Sequence, residues 1–462
     1  MTYDPASFRP LTFHDAVAGF SEGRDSPRAY LDRCLETIAA REPVVQAWVV
    51  LNETGAKAAA DASTARWKAG HPLSPIDGMP IGIKDLYETR DMPTQMGCEA
   101  YRGNFPKRDS ALVRALREAG AVILGKTVTT ELGQSHPGPT TNPFEPAHTP
   151  GGSSSGSAAA VAAGMVPAAI GSQVGGSIIR PASYCGNVAL KPTQGALNRG
   201  ERQGLSQSTV GVHANSVQDM WAVANEIARR AGGDPGAPGL FGPAIPPAAR
   251  RPARLIVMEA EGWSLLDHPS RRAFEGVVDA LRAQGVQILH RADAAAIDAF
   301  ERAIATAKAV TATVCGYEAR SSIQNLVEAQ PDGVSARAKS RHALAMKLTP
   351  EDYRAALLER ETMRRALAAL APLGDALIAP GSPGPAPEWA GDVPGQPLAP
   401  RPTGDIAYNA ATSALGVPAV TVPLMAVGGL PMGLQVIGQP HMDAVASGIA
   451  RWMQETLAPV VM

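Results

Sequence analysis

The chain has few of the features that mark nucleic-acid-binding, membrane-spanning or disulfide-stabilised proteins. Its 462 residues carry 42 basic and 43 acidic side chains, a net charge of −1, which leaves no electrostatic footprint for nucleic acid. No stretch approaches the ~18 uninterrupted apolar residues of a membrane span. The four cysteines lie far apart without CxxC spacing, so we expect reduced thiols and no paired-cysteine metal site.

The sequence is also poor in charged and aromatic residues. Charged residues make up 18% of the chain and aromatic residues 5%, while 45% of the residues are hydrophobic. That composition allows a large core, and the 46 glycines and 40 prolines, spread between apolar runs, predict many tight turns rather than disorder. The N-terminus shows no basic start followed by an apolar segment, so no signal peptide is predicted. We therefore expect a globular, cytoplasmic protein with no membrane partner.

Apolar segments of strand length alternate with helical patterns along most of the chain. This alternation predicts an α/β fold, a sheet covered by helices on both faces. The expected strands cover 47–51, 121–125, 168–171, 254–258 and 375–380, with one more ending at Lys84 and a hairpin over 417–438. The expected helices cover 57–70, 109–119 and 157–164, one follows Ser216, and 269–365 is mostly helical.

Two Gly-Gly-Ser turns, ending at Ser153 and Ser177, enclose an alanine-rich segment. Hydrolysis through a covalent intermediate needs an activated nucleophile, a base and an oxyanion stabiliser. The backbone N–H groups of residues 174–176 can point into one concavity before Ser177. Lys84 ends an apolar strand, where burial could depress its pKa by the about 3 units that a base near neutrality needs. Asp85 should point to the opposite face.

Other chemistries lack the residue patterns that they need. The GxSxG pattern at 152–156 follows a proline-rich loop instead of a strand, and none of the nine scattered histidines stands out as a triad partner. The chain has no phosphate-binding GxxxxGK[ST] pattern, no HExxH pair and no Rossmann GxGxxG after the early strands. We therefore expect neither a metal ion nor an organic cofactor.

Several separated segments, taken together, indicate a family far more specifically than any one of them does. IGIKD at 81–85, GGSSSGSAAAVAAG at 151–164, GGSIIRPASYCGNVALKPT at 175–193, YNAATSALGVPAVTVP at 408–423 and GLPMGLQVIG at 429–438 jointly resemble the amidase signature family. The resemblance covers nearly the whole chain apart from the middle helical section. It implies a large mixed β-sheet between helices in one domain, 1–462. The signature core would span 75–230, with a divergent, substrate-side helical section at about 253–400.

The resemblance also implies a Ser–cis-Ser–Lys triad without histidine. Ser177 would be the nucleophile, Ser153 a relay serine after a cis peptide bond, and Lys84 the base, neutral in the resting enzyme. The oxyanion hole would be built from the N–H groups of Val174, Gly175, Gly176 and Ser177. Ser154 and Ser155 are assigned to helix capping and loop hydrogen bonds.

Two positions depart from the family's common pattern. Gln173 stands where an acid is usual, and Arg180 lies three residues after Ser177 instead of two. The form GSQVGGSIIRPA, with DMPTQMGCEAYRG at 91–103, is similar to the malonamidase-type branch, in which that arginine holds a substrate carboxylate. The alternative for Arg180 is a buried structural ion pair. Arg180 and Gln173 are both carried as candidate substrate-binding residues.

We expect a serine amidohydrolase that cleaves C–N bonds of small linear amides, and the same chemistry extends to esters and carbamates (urethanes). A homodimer is allowed, and the specificity pocket is expected from roughly 200–400. One alternative is the A subunit of a tRNA-dependent amidotransferase, whose usual Thr-Asp and Ser-Ile-Arg forms are absent here. Another is a catalytically silent binding protein on the same fold, against which the intact Lys84, Ser153 and Ser177 argue.

Overall fold

The computed structural model describes residues 2–134, 136–200 and 204–462, and the strands within these ranges join one mixed sheet. The strands are β1 Trp48–Leu51, β2 Pro80–Lys84, β3 Val122–Thr127, β4 Ala168–Gln173, β5 Val188–Lys191, β6 Thr209–Ala214, β7 Arg254–Val257, β8 Gln287–Leu289, β9 Ala376–Pro380, β10 Ala419–Val427, β11 Leu430–Ile437 and β12 Val460–Val461. Their order across the sheet is β1-β3-β2-β4-β6-β5-β10-β11-β9-β7-β8, with β12 beside β10.

Fourteen α-helices accompany this sheet in the described ranges. They are α1 His14–Ser21, α2 Pro27–Val45, α3 Glu53–Lys68, α4 Ala111–Glu118, α5 Ser155–Ala162, α6 Ile179–Cys185, α7 Val217–Ala231, α8 His268–Ala283, α9 Ala295–Ile304, α10 Ala307–Ala329, α11 Ala336–Ala345, α12 Pro350–Ala368, α13 Asn409–Leu415 and α14 Asp443–Thr456. The predicted α/β class with a large mixed sheet is confirmed.

The pairing of β2 with β4 determines where the site can form. The two strands are parallel and adjacent, with Ile83 opposite Ile170. Their carboxyl ends therefore meet at one edge of the sheet, which places Lys84 beside the last residues of β4. Both strands are fully buried, so side chains that leave them at this edge are shielded from water.

Helix α5 packs against the sheet through small side chains. Every residue of α5 is buried, and its Ala159 and Ala160 pack in one cluster with Ala169 of β4. A Cβ at Gly156 would lie 2.3 Å from the carbonyl oxygen of Ala47, so only glycine fits there. This close packing holds the first turn of α5, directly after Ser153 and Ser154, against the carboxyl ends of the strands.

The predicted strands, the hairpin and most helices are confirmed, with shifted ends. Helix α3 starts four residues earlier than expected because Asn52 caps it, accepting a hydrogen bond from Gly55 N at 3.0 Å. Strands β5 and β6 and helix α6, whose residues are all buried, are not among the elements predicted from the sequence. The expected helical section 269–365 also contains the three-residue strand β8.

The four cysteines are all free thiols in this structure. Among the described helices, none combines the length and apolar character needed to cross a membrane.

Candidate active site

Lys84 is fully buried, and its amino group lies among serine hydroxyls. Its Nζ is 2.7 Å from Ser153 Oγ, 2.9 Å from Ser154 Oγ and 3.0 Å from Ser172 Oγ. No carboxylate of the described residues pairs with it. Burial lowers the pKa of Lys84 well below its usual value, because the charged form loses hydration without gaining a counter-charge. The amine is therefore suited to act as a neutral base.

The serines around this amine provide enough acceptors for both of its hydrogens when it is neutral, which would free its lone pair for Ser153. Ser154 Oγ donates its hydrogen to Ser172 O at 3.2 Å, so toward Lys84 it can only accept. Ser172 offers two further acceptors, its hydroxyl at 3.0 Å and its carbonyl oxygen at 3.4 Å. A neutral amine has two hydrogens, which these two serines can accept. Its lone pair can then accept the hydroxyl hydrogen of Ser153.

The assignment of Ser154 to helix capping is wrong. Ser154 precedes α5, but its side chain makes no capping hydrogen bond and contacts Lys84 instead. Ser155 does make a loop hydrogen bond, as predicted, from its Oγ to Val128 O at 3.4 Å. Sequence reasoning also missed Ser172. The signal that could have found it is its place at the end of β4, the strand parallel to the one that ends at Lys84.

Asp85, the next residue along the chain, turns away from this cluster as predicted. Its Oδ1 accepts a hydrogen bond from Lys126 Nζ at 2.9 Å, and both side chains are fully buried. Lys126 also donates to Thr94 Oγ1 at 2.8 Å. The only acidic side chain adjacent to Lys84 in sequence is thus neutralised by another lysine.

The loop that carries Ser153 is fastened to helix α6. The peptide bond between Gly152 and Ser153 is cis, as the family resemblance implies. Gly152 O accepts a hydrogen bond from Arg180 Nη2 at 2.6 Å. Gly151 has φ +82°, and a Cβ there would lie 2.8 Å from Pro181 Cα, so the loop requires glycine. Since α6 begins two residues after Ser177, these contacts hold the two Gly-Gly-Ser turns together.

Ser177 and the amides before it form the open side of the site. Ser177, Val174 and Gly175 are partly exposed, in contrast to the buried residues on either side. Within the described ranges, the backbone N–H groups of 174–177 donate no hydrogen bond and the Ser177 hydroxyl has no partner. Unpaired amides on consecutive residues beside a free hydroxyl are the arrangement that can bind a developing oxyanion.

Gln173 is buried, and both ends of its side-chain amide are used inside the protein. Its Oε1 accepts hydrogen bonds from Ile178 N at 2.8 Å and Ile179 N at 3.0 Å, at the start of α6. Its Nε2 donates to Ser413 Oγ at 3.0 Å. The tentative placement of Gln173 among substrate-binding residues therefore finds no support in this geometry. Its observed partners are backbone and side-chain groups of the protein.

Arg180 is buried among oxygen atoms that carry no formal charge. Besides Gly152 O, its guanidinium donates to Gly404 O at 3.0 Å and to Thr403 Oγ1 at 3.0 Å. No carboxylate of the described residues contacts it, so the structural ion pair is not the arrangement found. Burial lowers its pKa to about 10, which still leaves it charged at neutral pH. Its Nε is buried without a hydrogen-bond partner among the described residues.

The chain belongs to the amidase family, whose sequence profile, described as Amidase, matches residues 29–445. It is 32% identical over 483 residues to the glutamyl-tRNA(Gln) amidotransferase A subunit of Myxococcus xanthus, covering 96% of each protein. The corresponding protein of Chloroflexus aurantiacus is 40% identical over 226 residues. That match covers 47% of this chain and 46% of the relative, so the chain spans about half the length of that relative.

Solved structures agree with this family assignment. The peptide amidase of Stenotrophomonas maltophilia superposes with a TM-score of 0.79 at 27% identity, covering 98% of this chain and 99% of that one. A crystal structure described only as an amidase gives a TM-score of 0.83 at 28% identity, covering 97% of this chain and 100% of the other. The fold and the sequence therefore define the same class, a hydrolase of the amidase family.

Proposed function

We propose that this protein is a serine amidohydrolase that cleaves the C–N bond of a small-molecule amide through an acyl-enzyme intermediate. The observation that carries the proposal is the buried amine of Lys84, 2.7 Å from Ser153 Oγ and without a carboxylate partner among the described residues. A buried lysine with a lowered pKa, hydrogen-bonded to Ser153, supplies a base and a relay. The loop of Ser153 is fastened to the helix that begins two residues after Ser177, the proposed nucleophile, although Ser153 Oγ and Ser177 Oγ are not hydrogen-bonded to each other in this structure.

In the proposed mechanism, Lys84 accepts the proton of Ser153 while Ser153 accepts the proton of Ser177. The Ser177 oxygen attacks the scissile carbonyl, and the N–H groups of 174–177 stabilise the negative charge on the carbonyl oxygen. The same relay returns a proton to the leaving nitrogen as the C–N bond breaks. Water, deprotonated by the same route, then attacks the acyl-enzyme and releases the acid, which restores Ser177.

The proposed substrate range includes linear amides and extends to esters and carbamates, because their carbonyl groups present the same electrophile. A hydrolysis panel tests this range directly: aryl amides, malonamate-like amides, carbamates and esters, each with and without a carboxylate. Turnover of a C–N bond supports the proposal. Turnover of esters alone would restrict the activity to acyl–oxygen cleavage.

Labelling by a fluorophosphonate tests the nucleophile. The wild type should be labelled on Ser177, and Ser177→Ala should lose both the label and the hydrolysis. Ser155→Ala is the matched control. Ser155 is another serine of the segment 151–193, but its hydroxyl donates to Val128 O and does not contact Lys84. An unlabelled, inactive wild type would favour the silent binding protein instead.

The full-length match to the A subunit of a glutamyl-tRNA(Gln) amidotransferase favours a second candidate, the same chemistry used to release ammonia from glutamine inside a larger assembly. Gln173 and the three-residue spacing between Ser177 and Arg180 argue against it, because such A subunits commonly carry an acid and a two-residue spacing there. Co-purification of partner proteins together with tRNA-dependent glutaminase activity would establish this candidate. Glutamine-independent hydrolysis by the isolated chain would establish the first.

A further inference from the structure

Two successive carbonyl groups in the loop before Ser177 are each held by a side chain from a distant part of the sequence. Val174 O accepts a hydrogen bond from Gln207 Nε2 at 3.0 Å. Gly175 O accepts one from Ser413 Oγ, in α13, also at 3.0 Å. Gln207 and Ser413 are both buried. Neither residue was singled out by the sequence.

Fixing a carbonyl group also fixes the amide on the other side of the same peptide unit. In a planar trans peptide, C=O and the following N–H point in opposite directions. The bond to Val174 O therefore sets the direction of Gly175 N–H, and the bond to Gly175 O sets that of Gly176 N–H. Both carbonyls are turned toward buried partners, so both N–H groups point the other way, and both lack an acceptor among the described residues.

Gln173 determines which way the hydroxyl of Ser413 points. Its Oε1 already accepts from the amides at 178 and 179, so the group that faces Ser413 must be the Nε2 donor. Ser413 has one hydrogen and accepts from Gln173, so that hydrogen is directed to Gly175 O. The chain of donors runs one way, from Gln173 through Ser413 to the loop.

Gln207 connects the same loop to the helical section. The second hydrogen of its Nε2 is donated to Thr311 Oγ1, in α10, at 3.0 Å. The loop is also confined sterically, because a Cβ at Gly175 would lie 3.1 Å from Ile406 Cδ1. The amides thus have little freedom to rotate when charge develops on a bound carbonyl oxygen.

We propose that Gln207, Ser413 and Gln173 are positioning residues that orient the Gly175 and Gly176 amides of the oxyanion hole. This inference rests on the proposed function, since it assumes that these amides meet a transition-state oxyanion. Donors fixed before the reaction need no reorganisation as charge appears, and a misplacement of about 1 Å can cost about 10²-fold in rate. Loss of any of these three side chains, which together we call the brace, should therefore lower kcat far more than it changes KM.

The first test replaces each donor. Ser413→Ala and Gln207→Glu should each lower kcat by about 10- to 100-fold on the best substrate of the panel, with KM changed by less than about threefold. Ser413→Thr, which keeps a hydroxyl donor, should recover most of the rate. Ser447→Ala is the control, because Ser447 is equally buried in α14 and far from the loop in sequence. Unchanged kcat in Ser413→Ala and Gln207→Glu would overturn the inference.

The second test reverses the hydrogen bond between Gln173 and Ser413 while keeping a side chain of the same size at position 173. In Gln173→Glu, the carboxylate still accepts from the amides at 178 and 179 but cannot donate to Ser413. The Ser413 hydrogen is then drawn to Glu, Gly175 O is released, and kcat should fall as in Ser413→Ala. Normal kcat in a folded Gln173→Glu enzyme would contradict the directed chain of donors.

A fluorophosphonate separates this inference from the proposed function. If the proposed function fails, the wild type is neither labelled nor active. If only the inference fails, the wild type is active and labelled, and the three donor variants match it. If both hold, the three variants are labelled more slowly than the wild type. Their melting temperatures, measured in parallel, show whether a slower variant is still folded.

Discussion

Lys84 and Lys126 lie on neighbouring parallel strands, and only Lys126 has a carboxylate partner. Lys126, opposite Ile83 in the register, donates to Asp85 at 2.9 Å. Lys84 contacts the hydroxyls of Ser153, Ser154 and Ser172. Both lysines are equally buried, so the difference between them is the counter-charge. Burial lowers the pKa of both lysines, but only for Lys126 does a neighbouring carboxylate, Asp85, oppose that shift.

This contrast predicts that the same substitution lowers mainly the catalytic rate at Lys84 and mainly the stability at Lys126. Lys84→Met should lower kcat/KM by about 10²- to 10⁴-fold, the contribution of a general base, while the protein stays folded. Lys126→Met leaves Asp85 buried without its partner and should reduce the free energy of unfolding by about 3–5 kcal/mol. Initial rates and urea unfolding curves measure the two effects. Near-normal turnover in Lys84→Met would remove Lys84 from the mechanism.

The pH dependence of kcat/KM should report the same amine. In the proposed mechanism the active form is neutral Lys84, so the rate should rise with pH through the pKa of that group and level off above it. Because burial lowers the pKa of Lys84, the midpoint of the rise should lie well below 10.5. The profile is best measured between about pH 5 and 10 on a substrate without an ionisable group. A rate that falls as pH rises across this range would contradict a neutral-amine base.

Ser154→Ala should lower activity without abolishing it. The variant removes one acceptor for the Lys84 amine and the hydrogen bond to Ser172 O, but leaves the 2.7 Å contact between Lys84 and Ser153. Loss of one buried hydrogen-bond partner costs about 1–3 kcal/mol, which corresponds to roughly 10- to 100-fold in kcat. Ser153→Ala, measured beside it, should be much slower. Equal losses would mean that the two hydroxyls share the relay.

The parts of the site that the sequence could predict are those written in contiguous motifs. Lys84, Ser153 and Ser177 lie in segments whose composition already marks a strand end or a glycine turn. Gln207 and Ser413 act on the same loop from 33 and 238 residues away. Nothing in their own stretches of sequence indicates that role, because it depends on how the fold brings the segment before β6, and helix α13, against the loop before Ser177.

The same limit explains why Ser154 was misassigned and the helical section could not be interpreted. A serine before a helix ordinarily caps it. Here the close packing of α5 on the strands brings Ser154 Oγ to Lys84 Nζ, an arrangement set by tertiary packing. In the fold, the buried apolar runs of β2, β3 and β9 could be predicted. The four residues of β5 are too few to show a period, and in β6 the apolar residues alternate with Thr209, Gly211 and His213, a weak signal that was not assigned.

Arg180→Met is expected to slow the hydrolysis of neutral and carboxylate-bearing substrates by the same factor. The donors that Arg180 uses in this structure are spent on Gly152 O, Gly404 O and Thr403 Oγ1, so its removal loosens the loop that carries Ser153. Buried carbonyls left without a donor also cost about 1–3 kcal/mol each, so the melting temperature should fall. The measurement is kcat/KM on matched pairs of amides with and without a carboxylate.

Arg41→Met provides the control for this last prediction. Arg41 also donates to a backbone carbonyl, Pro143 O at 2.8 Å, outside the Ser153 and Ser177 loops. Its loss should change stability but not the rate. If Arg180→Met instead loses activity only on the carboxylate-bearing member of each pair, Arg180 holds a substrate carboxylate, as in the malonamidase-type branch. Its buried Nε, which has no partner among the described residues, would then be a group available for that contact.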